Sequence, residues 1–519
     1  MRKPRLIYYN DARHYLMYRF DPPLNRHQLQ SPVDEILGTG VDTLAFGLAS
    51  GATFLHDSRV ADKWGDAVAD HDHGIMWWRA AKNLAAALAA GMDPLQVVVD
   101  RAHEKDIQVI ASLRINDSGA PAGPNRNHYM LNRLKLSHPE YMIGEQDPDR
   151  PAVATCLDFA IDEVRQERLD LIEEVCGRYG ADGLEIDDYV RVFFKPSEID
   201  KNTPLLSDFV RRVRALLDRL GAARGQRLML AARVHPREDA NLAVGMDVRT
   251  WIEEKLVDAI VVNALGFDLD QEAHFEWIAA AARKSGVWVY PHLGRTPYDD
   301  RHHEPPIEMM RAAAANQMAA GADGLYLSGL PWPHGPAEYQ VLRELGDADI
   351  YARKNKHYFP AQQDPNATPW PVERPLPIVL EEGVPALVPF EVGDDVDAAR
   401  ADAALERATL RIRIVQTGME DRLGFKFNGT ALEPAPRDIS TFYGGLVAYS
   451  AARTGREARI NTHYWYEFDL ALELVRRGTN EVEVTLESRL AERVEDRVLH
   501  QVELLIDYAQ APATVGGQL

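Results

Sequence analysis

The stretch Ala181-Asp182-Gly183-Leu184-Glu185-Ile186-Asp187-Asp188-Tyr189 decides the fold of this chain. A short apolar strand ends there in a run of carboxylates. Side chains alternate between the two faces of a strand, so Glu185 and Asp187 point the same way. Leu184 and Ile186 point the opposite way. Carboxylates held this close favour protonation of one member, which provides a general acid beside an ionised base or nucleophile. The segment therefore predicts a buried strand that carries a catalytic site.

Seven further apolar segments in residues 1–346 also end in polar residues, and helical patterns lie between most of them. Strand and helix alternating eight times predict a (β/α)8 barrel. An open doubly wound sheet is the alternative, disfavoured because no Gly-x-Gly-x-x-Gly turn follows any strand. The predicted strands are Leu6–Asn10, Thr43–Leu48, Val109–Leu113, Gly183–Asp187, Leu228–Val234, Ala259–Asn263, Val287–Pro291 and Gly324–Ser328.

A short motif recurs before every second predicted strand. It places an aspartate where the chain enters strands two, four, six and eight: Asp42, Asp182, Asp258 and Asp323. In three of the four places we expect a glycine to end the preceding helix in the left-handed conformation, namely Gly40, Gly180 and Gly321. The N-terminal face of a barrel carries stability and not catalysis, so these four aspartates are predicted to be structural.

The remainder of the chain changes character. Residues 347–376 are rich in proline and polar residues and are predicted to be a linker. Residues 377–511 show strand and turn patterns without a long helix, and Asn428-Gly429 is a strong hairpin signal. We therefore predict a C-terminal all-β sandwich that follows the barrel of residues 1–346, with residues 512–519 as a tail.

Composition narrows the class of protein. The 519 residues carry a net charge of −21, which argues against a nucleic-acid partner because phosphate binding needs a basic face. The sequence contains no run of about 18 apolar residues, so no membrane span is predicted. The two cysteines, Cys156 and Cys176, are predicted to be buried thiols. No signal peptide is visible, which favours a cytoplasmic protein, although a mature secreted chain that had lost its leader would read the same way.

Catalytic residues of a (β/α)8 barrel gather at the C-terminal ends of its strands. Nearly every predicted strand delivers a charged or amide side chain to that rim, which suits a hydroxyl-rich ligand. Arginine binds carboxylate or sulfate in bidentate fashion, which leaves room for an anionic sugar. The predicted catalytic residues are Asp187, Glu185 and Asp188, and the predicted substrate-binding residues are Asp11, Arg13, Arg114, Asn116, Arg233, His235, Asn263, His292 and Trp332.

The sequence around strand four resembles that of the family-10-like bacterial glycosyl hydrolases. Leu157-Asp158 is followed by Val164-Arg165, then by a helix, and then by Tyr179 and the segment Asp182–Asp187. This order is similar to that family's "L-D-x-x-x-x-x-V-R", helix, "Y-x-V-D-G-I-x-x-D". The resemblance implies a (β/α)8 barrel related to glycoside hydrolases, with Asp187 as the active-site carboxylate.

The chain departs from the family pattern in two ways. Asp188-Tyr189 stands where apolar or aromatic residues are expected, which adds a third carboxylate. A clear second catalytic carboxylate on another strand is also missing, since strand seven ends in Tyr290-Pro291-His292 without a glutamate. Retention or inversion depends on the carboxylate separation, which stays open at this stage.

Three functions remain open. The leading hypothesis is a glycoside hydrolase that uses Asp187 with Glu185 or Asp188 and needs no cofactor. A metal-dependent lyase, isomerase or hydrolase is the second, because Glu185, Asp187 and Asp188 with His235 or His292 could bind a divalent ion. The third is a carbohydrate-binding barrel that has lost catalysis. All predict a sugar or small-molecule ligand and no nucleic acid or membrane partner, and all leave a homo-oligomer open.

Overall fold

The computed structural model describes residues 1–509 except 51–52, 67, 69–73, 117–127, 148–150, 188–191, 264–268, 273, 297–301, 303, 363–369, 371, 419, 434–437 and 441–462. The chain forms two compact units that are interleaved in sequence. The first comprises Met1–Phe267, Ala273–Gly294 and Gly321–Asp347, and the second comprises Asp268–Glu272, Arg295–Ala320 and Ala348–Leu519. The contiguous boundaries that we placed at residues 346 and 376 stay a prediction. Among the described helices, none has the length and apolar character needed to cross a membrane.

The first unit contains a closed barrel of eight parallel strands, which confirms the predicted fold class. Neighbouring strands follow the order β1-β8-β7-β6-β5-β4-β3-β2 around the barrel. Each observed strand lies within two residues of its predicted bounds. The strands are β1 Leu6–Asn10, β2 Thr43–Gly47, β3 Gln108–Arg114, β4 Gly183–Asp187, β5 Met229–Val234, β6 Ala259–Val262, β7 Trp288–Leu293 and β8 Leu325–Ser328.

Helices separate most of the strands. Helical patterns in the sequence predict six helices, and all six are present: Pro94–Lys105, Ile161–Tyr179, Ser207–Leu220, Val248–Leu256, Glu272–Lys284 and Ile307–Ala320. The helix before β5 is longer than predicted, because it begins at Ile199 and not at Ser207. In chain order the α-helices of residues 1–351 are α1 Arg26–Asp34, α2 Ile75–Ala89, α3 Pro94–Glu104, α4 Arg133–Ser137, α5 Asp162–Arg178, α6 Ile199–Arg224, α7 Glu238–Leu242, α8 Val248–Glu253, α9 Glu276–Ser285, α10 Ile307–Ala319, α11 Pro336–Glu344 and α12 Ala348–Tyr351.

The barrel interior is filled by every second side chain of the strands. Side chains alternate between the two faces of a strand, so every second residue faces the barrel interior. Glu185 is one of these inward-facing residues of β4, and each neighbouring strand contributes its own alternate residues. The lower interior layers are apolar or aromatic, and the charged residues begin one layer above them. The interior cluster consists of Ile7, Tyr9, Ala45, Ile110, Met229, Ala231, Ala259, Val261, Tyr290 and Tyr326, with Trp288 packed against it.

The four recurring aspartates close the N-terminal rim of the barrel. Each carboxylate accepts a hydrogen bond from a backbone N–H at the start of the neighbouring odd-numbered strand. The donors are Arg5 for Asp42 (3.2 Å), Val109 for Asp182 (2.9 Å), Leu230 for Asp258 (2.9 Å) and Val289 for Asp323 (2.9 Å). These bonds give the four residues the structural role that their position predicts, because they satisfy N–H groups that the parallel ladder leaves open.

The glycines of the repeat behave differently from one another. Gly180 and Gly321 have φ values of +80° and +105°, as expected. The expectation was wrong for Gly40, because the left-handed residue before β2 is Gly38, at φ +73°. Gly40 instead lies against Gly346, where an added Cβ would come within 3.0 Å of the Gly346 Cα.

The second unit is built on two antiparallel sheets. One has the strand order β9-β18-β12-β16-β15, with β10 also paired to β18, and the other has the order β11-β17-β13-β14. Both sheets contribute to one apolar core, which is the arrangement of a β-sandwich. Asn428-Gly429 connects β13 to β14, as predicted. The elements are β9 Lys356–Tyr358, β10 Ile378–Leu380, β11 Pro385–Val392, α13 Val396–Ala401, β12 Leu405–Val415, β13 Arg422–Phe427, β14 Thr430–Leu432, β15 Asp438–Ser440, β16 His463–Leu470, β17 Gly478–Ser488 and β18 Arg497–Tyr508.

Candidate active site

Glu185 lies inside the barrel at the centre of a closed hydrogen-bond network. Arg233 Nη2 donates to both of its carboxylate oxygens, at 3.2 and 3.3 Å. The hydroxyl of Tyr326 donates to Glu185 Oε2 at 3.1 Å and accepts from Arg233 Nη2 at 2.7 Å. With 1% of its surface exposed, Glu185 is satisfied by the protein itself. Its contacts therefore assign it to holding Arg233 in place.

Arg233 is held between two aromatic rings. Its guanidinium carbon lies 5.2 Å from the ring centre of Tyr9 and 5.1 Å from that of Tyr326, within cation–π range. Burial alone would lower the pKa of Arg233, but the charges of Asp187 and Glu185 outweigh it and raise that pKa well above its usual range. Arg233 is therefore a fixed positive charge beneath Asp187.

Asp187 ends β4 at the C-terminal rim, one inward position above Glu185. Its Oδ1 lies 3.5 Å from Arg233 Nη1 and its Oδ2 lies 3.9 Å from Arg114 Nε. The residue is 1% exposed, yet Oδ1 accepts no hydrogen bond from any described residue. A buried carboxylate oxygen without a donor costs free energy, and such groups are concentrated at functional sites.

Asp11 brings a second carboxylate to the same rim from the end of β1. Its Oδ1 accepts from the backbone N–H of Arg13 at 3.0 Å, and its Oδ2 lies 2.8 Å from His14 Nδ1. Arg114 Nη2 lies 3.5 Å from the same Oδ2. Burial would raise the pKa of Asp11, but the His14 hydrogen bond and the Arg114 charge outweigh it and hold that pKa well below its usual range. Arg114 thus faces two carboxylates, those of Asp11 and Asp187.

The ends of β6, β7 and β8 supply a chain of neutral polar groups. Asn263 Nδ2 lies 3.2 Å from His292 Nδ1, and His292 Nε2 lies 2.6 Å from the Ser328 hydroxyl. Desolvation and the Arg233 charge lower the pKa of His292 to about 3, which keeps its imidazole neutral at ordinary pH. These three described side chains can exchange hydrogen bonds with hydroxyl groups, and none of them carries a charge at ordinary pH.

Two predicted substrate-binding residues have other partners in the structure. Asn116 donates from Nδ2 to the carbonyls of Leu157 and Val192, both at 2.8 Å, and so ties together the segments after β3 and β4. His235 is fully buried, and its Nδ1 accepts from the backbone N–H of Arg237 at 3.0 Å. Asn116 Nδ2 and His235 Nδ1 thus hydrogen-bond to loop backbone, and the substrate-binding role of both residues stays a prediction.

Trp332 and Arg13 lie farther out on the rim. The Trp332 indole donates to Glu35 Oε1 at 2.9 Å, and the Arg19 guanidinium covers its ring at 3.5 Å. Trp332 still exposes 38% of its surface. The guanidinium carbon of Arg13 lies 5.6 Å from the Trp64 ring centre. Both side chains lie where they could contact a bound ligand.

Asp188 lies outside the described residues, so its predicted catalytic role stays a prediction. Several other polar residues in the loops that follow the strands also lie outside the described residues. Within the described part of the chain, no group of three or more His, Cys, Asp or Glu side chains is placed to hold a metal ion. The sequence places His14 and Ser328 on the rim as strand-end residues without giving them a role, and it does not select the site residues Tyr9 and Tyr326. The alternation of side chains along a strand could have identified both tyrosines, because each lies two residues before a predicted rim residue and so points to the same face.

Residues 9–203 match the family model described as Glycosyl hydrolase-like 10. This match confirms the resemblance that the strand-four segment predicts, and it includes Asp11, Arg114 and Asp187. No curated protein matches the chain.

Solved structures with a similar course include three carbohydrate enzymes. An α-L-fucosidase isoenzyme 2 from Paenibacillus thiaminolyticus has a TM-score of 0.42 at 11% identity, covering 72% of this chain and 55% of that one. A cycloisomaltooligosaccharide glucanotransferase from Paenibacillus sp. has a TM-score of 0.32 at 11% identity, covering 96% and 57%. Chitinase ChiA74 from Bacillus thuringiensis has a TM-score of 0.38 at 9% identity, covering 97% and 100%. The chain thus spans just over half the length of the first two.

Proposed function

We propose that the barrel is a glycoside hydrolase in which Asp187 is the carboxylate that attacks the anomeric carbon. The observation that supports this is Asp187 Oδ1: it is buried at the C-terminal end of a barrel strand and accepts no hydrogen bond from any described residue. An acceptor left open in this position is available to a reacting carbon. The match of residues 9–203 to a glycosyl hydrolase-like family supports the same reaction class.

The surrounding groups fit a sugar. Arg233 and Arg114 hold Asp187 from two sides, and Glu185 and Tyr326 fix Arg233 in turn. The chain of Asn263, His292 and Ser328 offers donors and acceptors to hydroxyl groups on the opposite side of the rim. Such a mixture of one reacting carboxylate and fixed neutral partners suits a glycoside.

The charges favour a sugar that is uncharged next to Asp187. The arginines in the sequence are compatible with an anionic sugar, because arginine binds carboxylate or sulfate. In the structure Arg233 faces Glu185 and Asp187, and Arg114 faces Asp11 and Asp187. Among the described residues, three carboxylates thus surround two guanidinium groups, and an incoming anion would be placed against Asp187. A panel of aryl hexosides and the matching hexuronides tests this, and faster turnover of the hexuronides would contradict it.

The decisive variant is Asp187→Asn, which keeps the size of the side chain and removes the nucleophile. On a glycoside that the wild type cleaves, we expect kcat to fall by at least about 10³-fold, the scale on which removing a reacting group acts. Asp182→Asn is the matched control, because it makes the same change at the N-terminal end of the same strand. It should keep its turnover per folded molecule.

Two outcomes would contradict the proposal. Wild-type turnover by Asp187→Asn would show that another group reacts with the sugar. Saturable binding of sugars without any product, across a broad panel of glycosides, would favour the carbohydrate-binding alternative.

A further inference from the structure

The neutral chain of Asn263, His292 and Ser328 has a fixed direction from donor to acceptor. Asn263 presents the nitrogen of its side-chain amide to His292 Nδ1 at 3.2 Å. An amide NH2 group donates hydrogen bonds and accepts none, so Nδ1 is the accepting nitrogen of the ring. The single proton of the neutral imidazole is therefore on Nε2, the nitrogen that faces Ser328.

His292 in turn donates to the hydroxyl of Ser328. Its Nε2 lies 2.6 Å from Ser328 Oγ, a short hydrogen bond. A serine hydroxyl has one proton and two lone pairs, so an oxygen that accepts from His292 keeps its own proton for another partner. Ser328 is buried, and no other described residue hydrogen-bonds to its side chain. The hydroxyl of Ser328 is thus the donor end of the chain and lacks a described acceptor.

The donor end lies on the same inward face of the barrel as Asp187. Ser328 follows the interior residue Tyr326 by two positions on β8, so its side chain points to the same face. The His292 ring packs edge-on against Tyr326 at a centroid distance of 5.8 Å. Tyr326 accepts from Arg233 Nη2, and Arg233 Nη1 lies 3.5 Å from Asp187 Oδ1. His292 and Asp187 therefore border the same Tyr326–Arg233 pair.

We infer that Ser328 selects the substrate by donating a hydrogen bond to an oxygen of the bound sugar. This inference rests on the proposed function and names the group that the site recognises, which is an accepting hydroxyl, ether or carbonyl oxygen. Asn263 and His292 are positioning residues, because they act on the sugar through Ser328. A buried donor without an acceptor costs free energy, so a sugar that presents hydrogen at this point binds less tightly.

The test uses free sugars, whose binding does not depend on turnover. Calorimetry measures the dissociation constants of glucose, galactose, mannose and xylose, and the sugar that binds most tightly supplies a series of analogues. In each analogue one hydroxyl is replaced by hydrogen, which neither donates nor accepts, or by fluorine, which accepts but does not donate. At one ring position the deoxy sugar should bind about 3- to 10-fold more weakly than the parent, the scale of one neutral hydrogen bond. The fluoro sugar should bind more tightly than the deoxy sugar there.

Three variants assign this preference to the chain. Ser328→Ala should remove the differences at that ring position and leave the effects at the other positions unchanged. Ser328→Thr keeps the hydroxyl and should keep the preference. Asn263→Leu removes the amide donor at a similar side-chain size, so the imidazole can take either tautomer. The preference for fluorine over hydrogen should then fall, a change that a purely structural role of Asn263 would not produce.

Ser207→Ala is the matched control. Ser207 is also buried, and its hydroxyl also accepts from a ring N–H, that of Trp251 Nε1 at 3.0 Å, between α6 and α8. This variant should keep the wild-type preference for every analogue. Thermal unfolding of Ser328→Ala within a few degrees of Ser207→Ala would exclude a defect in folding as the cause of the lost preference.

The two proposals fail separately. Wild-type preferences in Ser328→Ala would overturn this inference, as would a failure of all four sugars to bind. A fluoro sugar that binds no better than the deoxy sugar, at the position that depends on Ser328, would also overturn it, because Ser328 would then accept and not donate. None of these results changes the turnover of Asp187→Asn, on which the proposed function is judged. An active Asp187→Asn would overturn the proposed function and leave sugar recognition by Ser328 standing.

Discussion

The two rims of the barrel carry the same residue type under different conditions. At the N-terminal rim, each of the four repeated aspartates accepts a hydrogen bond from a backbone N–H. Asp258 adds ion pairs to Arg214 and Arg227, both at 2.8 Å. At the C-terminal rim, the described partners of Asp187 are two arginines at 3.5 and 3.9 Å, and its Oδ1 accepts no hydrogen bond from any described residue.

The difference lies in the hydrogen-bond partners and not in residue type. Backbone N–H groups have fixed positions, so the N-terminal carboxylates are satisfied as soon as the barrel closes. At the C-terminal rim Asp11 also accepts from a backbone N–H, whereas the described partners of Asp187 are arginine side chains and its Oδ1 accepts no hydrogen bond from any described residue. Backbone donors thus satisfy the carboxylates at one end of the strands, and at the other end one carboxylate oxygen lacks a described donor.

The largest effect on stability is expected from Arg233→Met. The change removes the charge that separates Glu185 from Asp187 and leaves two buried carboxylates without their partner. Breaking a buried ion pair in this way costs about 3–5 kcal/mol. Urea unfolding followed by tryptophan fluorescence measures it.

A second substitution identifies the cause of that loss. Adding Glu185→Gln to Arg233→Met removes one of the uncompensated charges and should recover part of the lost free energy of unfolding. If the double variant is as unstable as Arg233→Met alone, packing between Tyr9 and Tyr326 dominates, and the contrast between the rims is not one of charge.

A smaller effect is expected from Asp258→Asn at the opposite rim. The amide oxygen can still accept from Leu230 N–H, but the charge that holds Arg214 and Arg227 is lost. We expect the free energy of unfolding to fall by about 1–3 kcal/mol and turnover per folded molecule to be unchanged. Asp187→Asn should do the reverse, losing turnover while unfolding at the same or a higher denaturant concentration. The division between the rims fails if both variants lose the same property.

The strands of the barrel were predictable because each is a short apolar run with a polar end. The alternation of faces was enough to assign Glu185 and Asp187 to the interior. The start of α6 was missed because its apolar periodicity begins only near Leu206, whereas the helix begins at Ile199. The interleaving of the two units depends on contacts between distant segments, which a local pattern does not contain.

The positions of the site residues were predictable from the strand ends, but their hydrogen-bond partners were not. Asn116 and His235 were chosen correctly as polar residues of the rim, yet their side chains bond to loop backbone. The path of those loops decides this, and no local pattern encodes it. Asp11 was predicted as a substrate contact, and its link to His14 requires a π-turn that residue spacing does not reveal.

The smallest expected effect is on the pH dependence of stability, and it compares one histidine from each rim. His103 Nε2 lies 2.9 Å from Asp182 at the N-terminal rim, and that hydrogen bond raises its pKa. Its contribution to stability is therefore present at low pH and lost as the pH rises through the folded pKa. For His292 the pKa is lowered to about 3, below the unfolded value of about 6.5. Its contribution is thus present above about pH 6.5 and is lost as the pH falls, because only the unfolded chain then takes up the proton.

Substituting each histidine by glutamine should change the pH dependence in opposite directions. His292→Gln should reduce the loss of unfolding free energy between pH 7 and pH 5 by up to about 2 kcal/mol, since glutamine takes up no proton. His103→Gln should lower stability more at pH 5 than at pH 8, by an amount that solvent screening keeps small. Urea unfolding at these pH values measures both. If the two variants respond to pH in the same direction, the electrostatic difference between the rims is not carried by these histidines.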